Sequence, residues 1–177
     1  MSKLDSEWGR GPRYKQAELD ALDFLKADPE WKGLTCIVGP NQSRTDGLWT
    51  RDNTLQFLTE VKSRDSFGTK SKLPFTWENL VAKYKGEYMI SKSKIVDNVH
   101  ASKVLGVPFF LIVNFMLQNK LLTIPISNRE GEMIVNYKEE ERITQNTSNG
   151  GIKKDWVYQL DVNNPPPHRW KDMSQIK

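Results

Sequence analysis

Asp46 is followed, after thirteen intervening residues, by Glu60-Val61-Lys62. Two carboxylates plus a main-chain carbonyl form the hard-oxygen ligand set that magnesium prefers. A lysine beside them can help to deprotonate a water held by the ion, or stabilise charge on an attacked phosphate. These residue types suit metal-assisted hydrolysis of a phosphodiester. Glu-x-Lys by itself carries little information, since roughly one chance occurrence is expected in a chain of this length at ordinary residue usage. The signal depends on the local fold bringing all three side chains to one place.

The segment 43–65 reads as a β-hairpin that does so. Thr45 to Thr50 and Leu55 to Lys62 have strand character, and Arg51-Asp52-Asn53-Thr54 between them is rich in residues that tolerate tight turns. With a three-residue loop centred on Asn53, Trp49 faces Phe57, Leu48 faces Leu58 and Asp46 faces Glu60. Side chains alternate along a strand. Asp46, Leu48, Leu58, Glu60 and Lys62 are therefore expected on one face, and Trp49, Leu55, Phe57 and Val61 on the other, buried one. Two carboxylates directly opposed across a strand pair destabilise it. Lys62 relieves part of that repulsion and a bound divalent cation would relieve more. The plain alternative is an exposed hairpin face of mixed charge, and a slip of one residue in register would remove Asp46 from Glu60.

Other elements must hold this hairpin. Tyr14 to Ala27 has helical spacing, stopped by Asp28-Pro29, and Leu34 to Val38 reads as a short strand closed by Gly39-Pro40. Ser63 to Thr76 is a polar, basic loop, and Trp77 to Tyr88 has the character of a short helix. Ser93 is the expected N-cap of a helix reaching Leu105, which Gly106 and Pro108 terminate. Phe109 to Met116 is apolar on both faces, as in the interior of a sheet, and Leu121 to Ile126 returns antiparallel to it after a turn at Gln118-Asn119. Glu139 to Lys154 reads as a polar loop, Trp156 to Val162 as an edge strand, and the end as an extended tail. The order predicts an α/β layer structure with a mixed central sheet flanked by helices.

The chain has 177 residues, suited to a single domain: a core over about 14–126, an extension over 127–162 and a tail over 163–177. The longest apolar run, Val107 to Leu117, is interrupted and too short to cross a bilayer, and the N-terminus has no apolar stretch of a secretory signal. One cysteine, Cys36, excludes an internal disulfide framework and a cysteine zinc cage. These features suggest a cytoplasmic protein, or one acting in a host's cytoplasm if phage-encoded. Between Lys62 and Lys103 nine basic residues stand against four acidic ones, more positive charge than the whole chain's net +4. That stretch is either a solvated lysine-rich surface or a contact for a polyanion.

Asp46, the thirteen-residue spacer and Glu60-Val61-Lys62 resemble the PD-(D/E)XK nuclease superfamily, restriction-endonuclease-like and junction-resolvase-like, with Thr45 where the motif's proline stands. The succession of elements from Tyr14 to Ile126 resembles that superfamily's core of a helix, three strands, a helix and a strand. The resemblance implies Asp46 and Glu60 as metal-binding acids, Lys62 as catalytic lysine, and the Val61 carbonyl as a further ligand. It offers Glu18 on the first helix as another metal ligand, against a plain surface glutamate. It also places Lys92 and Lys94, at the start of the later helix, near the scissile phosphate, a location that a helix N-terminus favours for anions. Lys70, Lys72, Lys83 and Lys85 could line a groove for the sugar-phosphate backbone or serve solubility alone. Trp77 and Tyr84 could stack on bases or lie in the core. His100 and His168 lack the context of a histidine-metal nuclease, Cys36 suits a buried strand, and no phosphate-binding Gly-rich loop occurs.

The resemblance thus implies an Mg2+-dependent endodeoxyribonuclease, with Mn2+ able to substitute, leaving 5′-phosphates. It would act on duplex or branched DNA as a homodimer, because two strands need two sites. Two other readings stay open: a non-catalytic nucleic-acid-binding protein on the same fold, and an α/β interaction domain with a coincidental acidic face.

Overall fold

A computed structural model describes residues 11–39, 45–67, 73–146 and 152–175. In chain order the elements are α1 (Gly11–Ala27), β1 (Thr35–Val38), β2 (Gly47–Arg51), β3 (Thr54–Arg64), α2 (Trp77–Tyr84), β4 (Glu87–Ser91), α3 (Lys92–Leu105), β5 (Phe109–Phe115), β6 (Lys120–Ser127), β7 (Tyr137–Asn146), β8 (Ile152–Asp161) and β9 (Trp170–Asp172). The protein is α/β with a mixed main sheet in the order β1-β2-β3-β5-β6-β9. Only β3 and β5 run parallel; the chain between them crosses over through α2, β4 and α3. Among the described residues no helix is long and apolar enough to cross a membrane.

Each face of the main sheet has its own core. On one, Ala21, Leu22 and Leu25 of α1 pack on Trp49, Val61, Ile112 and Leu121. Those α1 positions recur at helical spacing, and Pro12 sits in the first turn, where its missing N–H is harmless. Asp28 stops the helix; its carboxylate accepts from the Glu30 N–H at 2.8 Å and caps the short 3-10 turn at Pro29–Trp31. On the other face Leu58, Leu111 and Val113 pack with Ile95 of α3 and with Tyr88, Ile90 and Leu160. The last three belong to a second antiparallel sheet, ordered β4-β8-β7.

The β2–β3 hairpin pairs Leu48 with Leu58 and Trp49 with Phe57, as the alternation predicts. Its turn is tighter than the three-residue loop expected. Asp52 and Asn53 both have positive φ (49° and 60°), the conformation of a two-residue hairpin turn that Asn and Asp tolerate. A bulge then makes up the count: Thr50 pairs with Leu55 and Trp49 with Phe57, leaving Gln56 extra. The bulge reverses the alternation beyond it, so Leu55 packs with the Leu58 core and not, as expected, with Trp49 and Phe57.

The later chain departs further from the sequence reading. The helix expected to reach Tyr88 stops at Tyr84, because Lys85 and Gly86 adopt positive φ (54° and 70°), and Glu87–Ser91 becomes β4 with Tyr88 and Ile90 facing inward. The N-cap of α3 is Ser91, not Ser93. The polar stretch 139–154 is largely strand: β7 presents charged residues outward and pairs through its backbone with β8. Charge on an outer strand guards its edge against further pairing, and it also hides the strand signal. Residues 156–161 lie in the central strand of that sheet, not at an edge. In the expected tail, Trp170–Asp172 adds β9 beside β6, and Trp170 packs on Trp77 and Phe115 at ring separations of 5.2 and 5.6 Å.

Candidate active site

Pairing between β2 and β3 ends at Gly47 and Thr59, while β3 continues to Arg64 beside β5. Asp46 stands just outside β2, so the direct cross-strand pair with Glu60 does not form. Instead Asp46 donates its N–H to the Thr59 carbonyl at 3.1 Å, and its Oδ2 accepts from the Val61 N–H at 2.8 Å. The carboxylate thus extends the ladder by one side-chain bond. A strand residue's N–H and C=O point to the same edge, so the Val61 carbonyl faces the Asp46 side.

The approach at Gly47 leaves no room for a side chain. A Cβ there would stand 2.6 Å from Thr59 Oγ1 and 3.1 Å from both Cys36 Sγ and Trp49 Nε1. The same threonine hydroxyl accepts from Trp49 Nε1 at 3.0 Å. Glycine therefore lets the chain turn into β2 with Asp46 pressed against β3.

Glu60 is fully buried. Lys62 Nζ lies 2.7 Å from its Oε1, a charge-assisted contact, and Lys94 Nζ lies 3.5 Å from the same oxygen, while Oε2 has no hydrogen-bond partner among the described residues. Lys62 also approaches Glu18 Oε1 of α1 at 3.8 Å. Burial raises the Glu60 pKa; Lys62 opposes the shift and Asp46 adds to it. Burial likewise pushes Glu18 up to about 7, with Lys62 acting against that and Asp46 for it. Burial alone would lower Lys62, but Glu60, Glu18 and Asp46 together outweigh it and hold the ammonium above its ordinary range.

The structure therefore gathers Glu18, Asp46, Glu60, Lys62 and Lys94 at the end of β3. It separates Lys92 from them. Lys92 turns to the second sheet, pairing with Glu139 at 2.5 Å and lying over the Trp156 and Tyr158 rings. Lys83 and Lys85 are exposed on and after α2, and Lys70 and Lys72 lie outside the described residues. Trp77 packs against the core, and Tyr84 is half-exposed and stacks on Phe67 at 4.5 Å. His100 is exposed on α3. Cys36 lies beside Gly47, partly covered, and burial pushes its thiol up to about 11, which disfavours the reactive thiolate.

Sequence reasoning missed the residues that set these positions. Buried Asn98 accepts from Thr45 Oγ1 at 2.6 Å and donates to the Lys94 carbonyl at 2.8 Å, tying the approach to Asp46 to the first turns of α3. Its signal was an amide on the inward face of α3, between Ile95 and Ser102. Asn114 donates to the Ala17 carbonyl and to Ser63 Oγ, both at 3.1 Å, and so fixes α1 beside Glu18. It showed in the sequence only as an interruption of an apolar run. Asp65 anchors the start of α1 through Tyr14 at 2.5 Å and Arg13 at 3.1 Å.

Carboxylates and a main-chain carbonyl, as at Asp46, Glu60, Glu18 and Val61, are the donor types a hard divalent cation takes. Glu60 Oε2, buried without a hydrogen bond, fits such an ion, because a carboxylate kept from water needs strong compensation. As folded here, Lys62 provides part of it. Among the described residues no three His, Cys, Asp or Glu side chains stand in a ready metal-holding arrangement, so binding would require the carboxylates to converge around Lys62. No family model matches the chain, and neither curated proteins nor solved structures give a significant match.

Proposed function

We propose that the chain is a metal-dependent deoxyribonuclease on a PD-(D/E)XK-type, restriction-endonuclease-like core. The observation that carries this is Glu60: a fully buried carboxylate, paired through Oε1 with two lysines from different elements and with its Oε2 lacking a hydrogen bond. A carboxylate serving stability alone would be expected to have its oxygens hydrogen-bonded, since burial of an ion costs several kcal/mol. The order α1, β1–β3, α3, β5 with β3 parallel to β5 also supports the finer fold reading.

Asp46, Glu60, Glu18 and the Val61 carbonyl would hold Mg2+ or Mn2+. When bound, the ion supplies charge neutralisation at a phosphate and makes water a stronger acid. Lys62, kept protonated by its carboxylates, acts as a hydrogen-bond donor and positive charge towards the attacked phosphate, not as a base. Lys94 orients the same phosphate from α3. Asp46 keeps its place through the Val61 N–H, and Glu18 through the anchoring of α1 by Asn114. The substrate proposed is duplex or branched DNA, cut by a homodimer that supplies one site per strand.

The test is cleavage of supercoiled plasmid and a labelled oligonucleotide in Mg2+ or Mn2+, with EDTA as control, wild type beside Lys62→Ala. Metal-dependent cleavage lost in the variant supports the assignment. A second reading, a non-catalytic nucleic-acid-binding protein, draws on Lys62 already standing among the acids. DNA binding without cleavage by folded wild type in either metal would favour it.

A further inference from the structure

Among the described residues, the α1 side of the main sheet is covered only in part. α1 packs on Val61, Ile112 and Leu121, while Phe57, Phe110 and Thr123, farther along the same face, line a cavity of about 400 Å³ walled on one side by Trp31. The volume is within the range of small-molecule sites, roughly 300–1,000 Å³. Phe57 and Phe110 meet edge to face at 5.4 Å, and Trp31 meets Phe57 similarly at 5.1 Å. Aromatic surface of this kind accepts the flat face of a heterocycle.

One buried polar group in this cavity lacks the partner that a purely structural role would give it. Thr123 is 7% exposed and its Oγ1 is buried without a hydrogen bond. Leaving such a group unmet costs about 1–3 kcal/mol. Arg51 and Arg129, both exposed, and the half-buried Arg169 also line the cavity, from three separate segments, and none is tied up in an ion pair among the described residues, so all three are available to a ligand. The acid there, Glu30, is already engaged by Lys171, which also pairs with Asp28 at 3.2 Å. The cavity thus combines an aromatic floor, an unmet hydroxyl and a surplus of guanidinium groups, whose planar forks suit phosphate.

We propose that this cavity binds a nucleoside monophosphate, with the base against Phe57 and Phe110, a polar edge of the base on Thr123, and the phosphate on Arg51, Arg129 and Arg169. The nucleotide is either free or the 5′-phosphorylated end of a strand; the chemistry recognised is the same. The site is separate from the carboxylate cluster. Phe57 lies about 10 Å along β3 from Glu60, at the strand's rise of about 3.3 Å per residue, and faces the opposite side of the sheet. The proposal therefore stands whether or not the protein cleaves DNA.

Calorimetric titration in EDTA, where metal at the carboxylates cannot contribute, tests it. The probes are deoxynucleoside monophosphates, the unphosphorylated nucleosides, inorganic phosphate and a short 5′-phosphorylated oligonucleotide. Wild type should bind the monophosphates more tightly than either nucleoside or inorganic phosphate. Arg129→Ala/Arg169→Ala, shown to be folded by its melting curve, should bind roughly tenfold or more weakly, as expected for lost charge-assisted hydrogen bonds. Thr123→Val, nearly the same shape, should alter the preference among bases. Tighter binding of the oligonucleotide identifies a strand end as the ligand, and tighter binding of the mononucleotide a free one. No binding of any monophosphate to folded wild type overturns the proposal. So does equal binding of inorganic phosphate, or indifference to loss of the two arginines.

Discussion

Lys62 Nζ stands 2.7 Å from Glu60 Oε1, two residues back on the same strand, and the lysine is the shortest contact of a carboxylate with no exposed surface. The pair makes the site's stability and its chemistry inseparable. Removing the ammonium leaves Glu60 with Lys94 at 3.5 Å as its remaining cation among the described residues.

Lys62→Met should therefore abolish cleavage and also destabilise the fold. Breaking a buried pair typically costs about 3–5 kcal/mol, an upper bound here because Glu60 can take up a proton instead. That escape requires acid, so the loss should be larger at pH 8 than at pH 5. Denaturant unfolding of wild type and variant at both pH values measures it, and an equal loss at the two would contradict a charged Glu60–Lys62 pair.

Glu18 gives the metal-free protein a pH dependence of predictable sign. Its carboxyl holds a proton in the fold up to about pH 7, whereas in the unfolded chain it gives the proton up near 4.5. Between those values the folded state binds more protons, so stability falls as pH rises and levels off above about 7. The difference corresponds to roughly 3 kcal/mol. Glu18→Gln should flatten the profile in EDTA; an unchanged slope would remove Glu18 as its source.

Metal binding should run the other way. Ligand carboxylates must lose their protons, so affinity for Mn2+ should rise between pH 5 and pH 8. A thermal shift on adding Mn2+ should be present in wild type and absent in Asp46→Asn and Glu60→Gln. A full shift in both variants would place the ion elsewhere.

Gly47→Ala tests the approach of Asp46 to β3. The added methyl meets Thr59 Oγ1 at 2.6 Å, so either the Thr59 side chain, with its bond from Trp49, or the chain entering β2 must shift. The cost expected is about 1–3 kcal/mol, with loss of metal-dependent activity greater than the stability loss explains. Activity at the wild-type level in a folded variant would show that the close approach is not needed for function.

The part of the fold built on alternation was legible. Leu48, Trp49, Phe57 and Leu58 reveal their pairing because a shift of one residue would carry each side chain from one core to the other. The bulge at Gln56 was not legible, since a tight turn plus an extra residue and a longer loop give the same register at Trp49. β7 stayed hidden because its side chains face water and its order comes from backbone pairing with β8. The charged members of the cluster showed in the sequence. Asn98 and Asn114 did not, because an amide reveals its partners only after distant segments have been brought together.

The strand Trp170–Asp172 is laid against β6, and Lys171 reaches back to Asp28 and Glu30. During synthesis, then, the main sheet acquires this border only after β7 and β8 have also left the ribosome. Until that moment β6 is an unguarded edge, and the aromatic surface of Trp77 and Phe115 that Trp170 covers is open to solvent. Closure across such a separation along the chain is slow, which makes the interval before it the period of greatest exposure to aggregation and proteolysis.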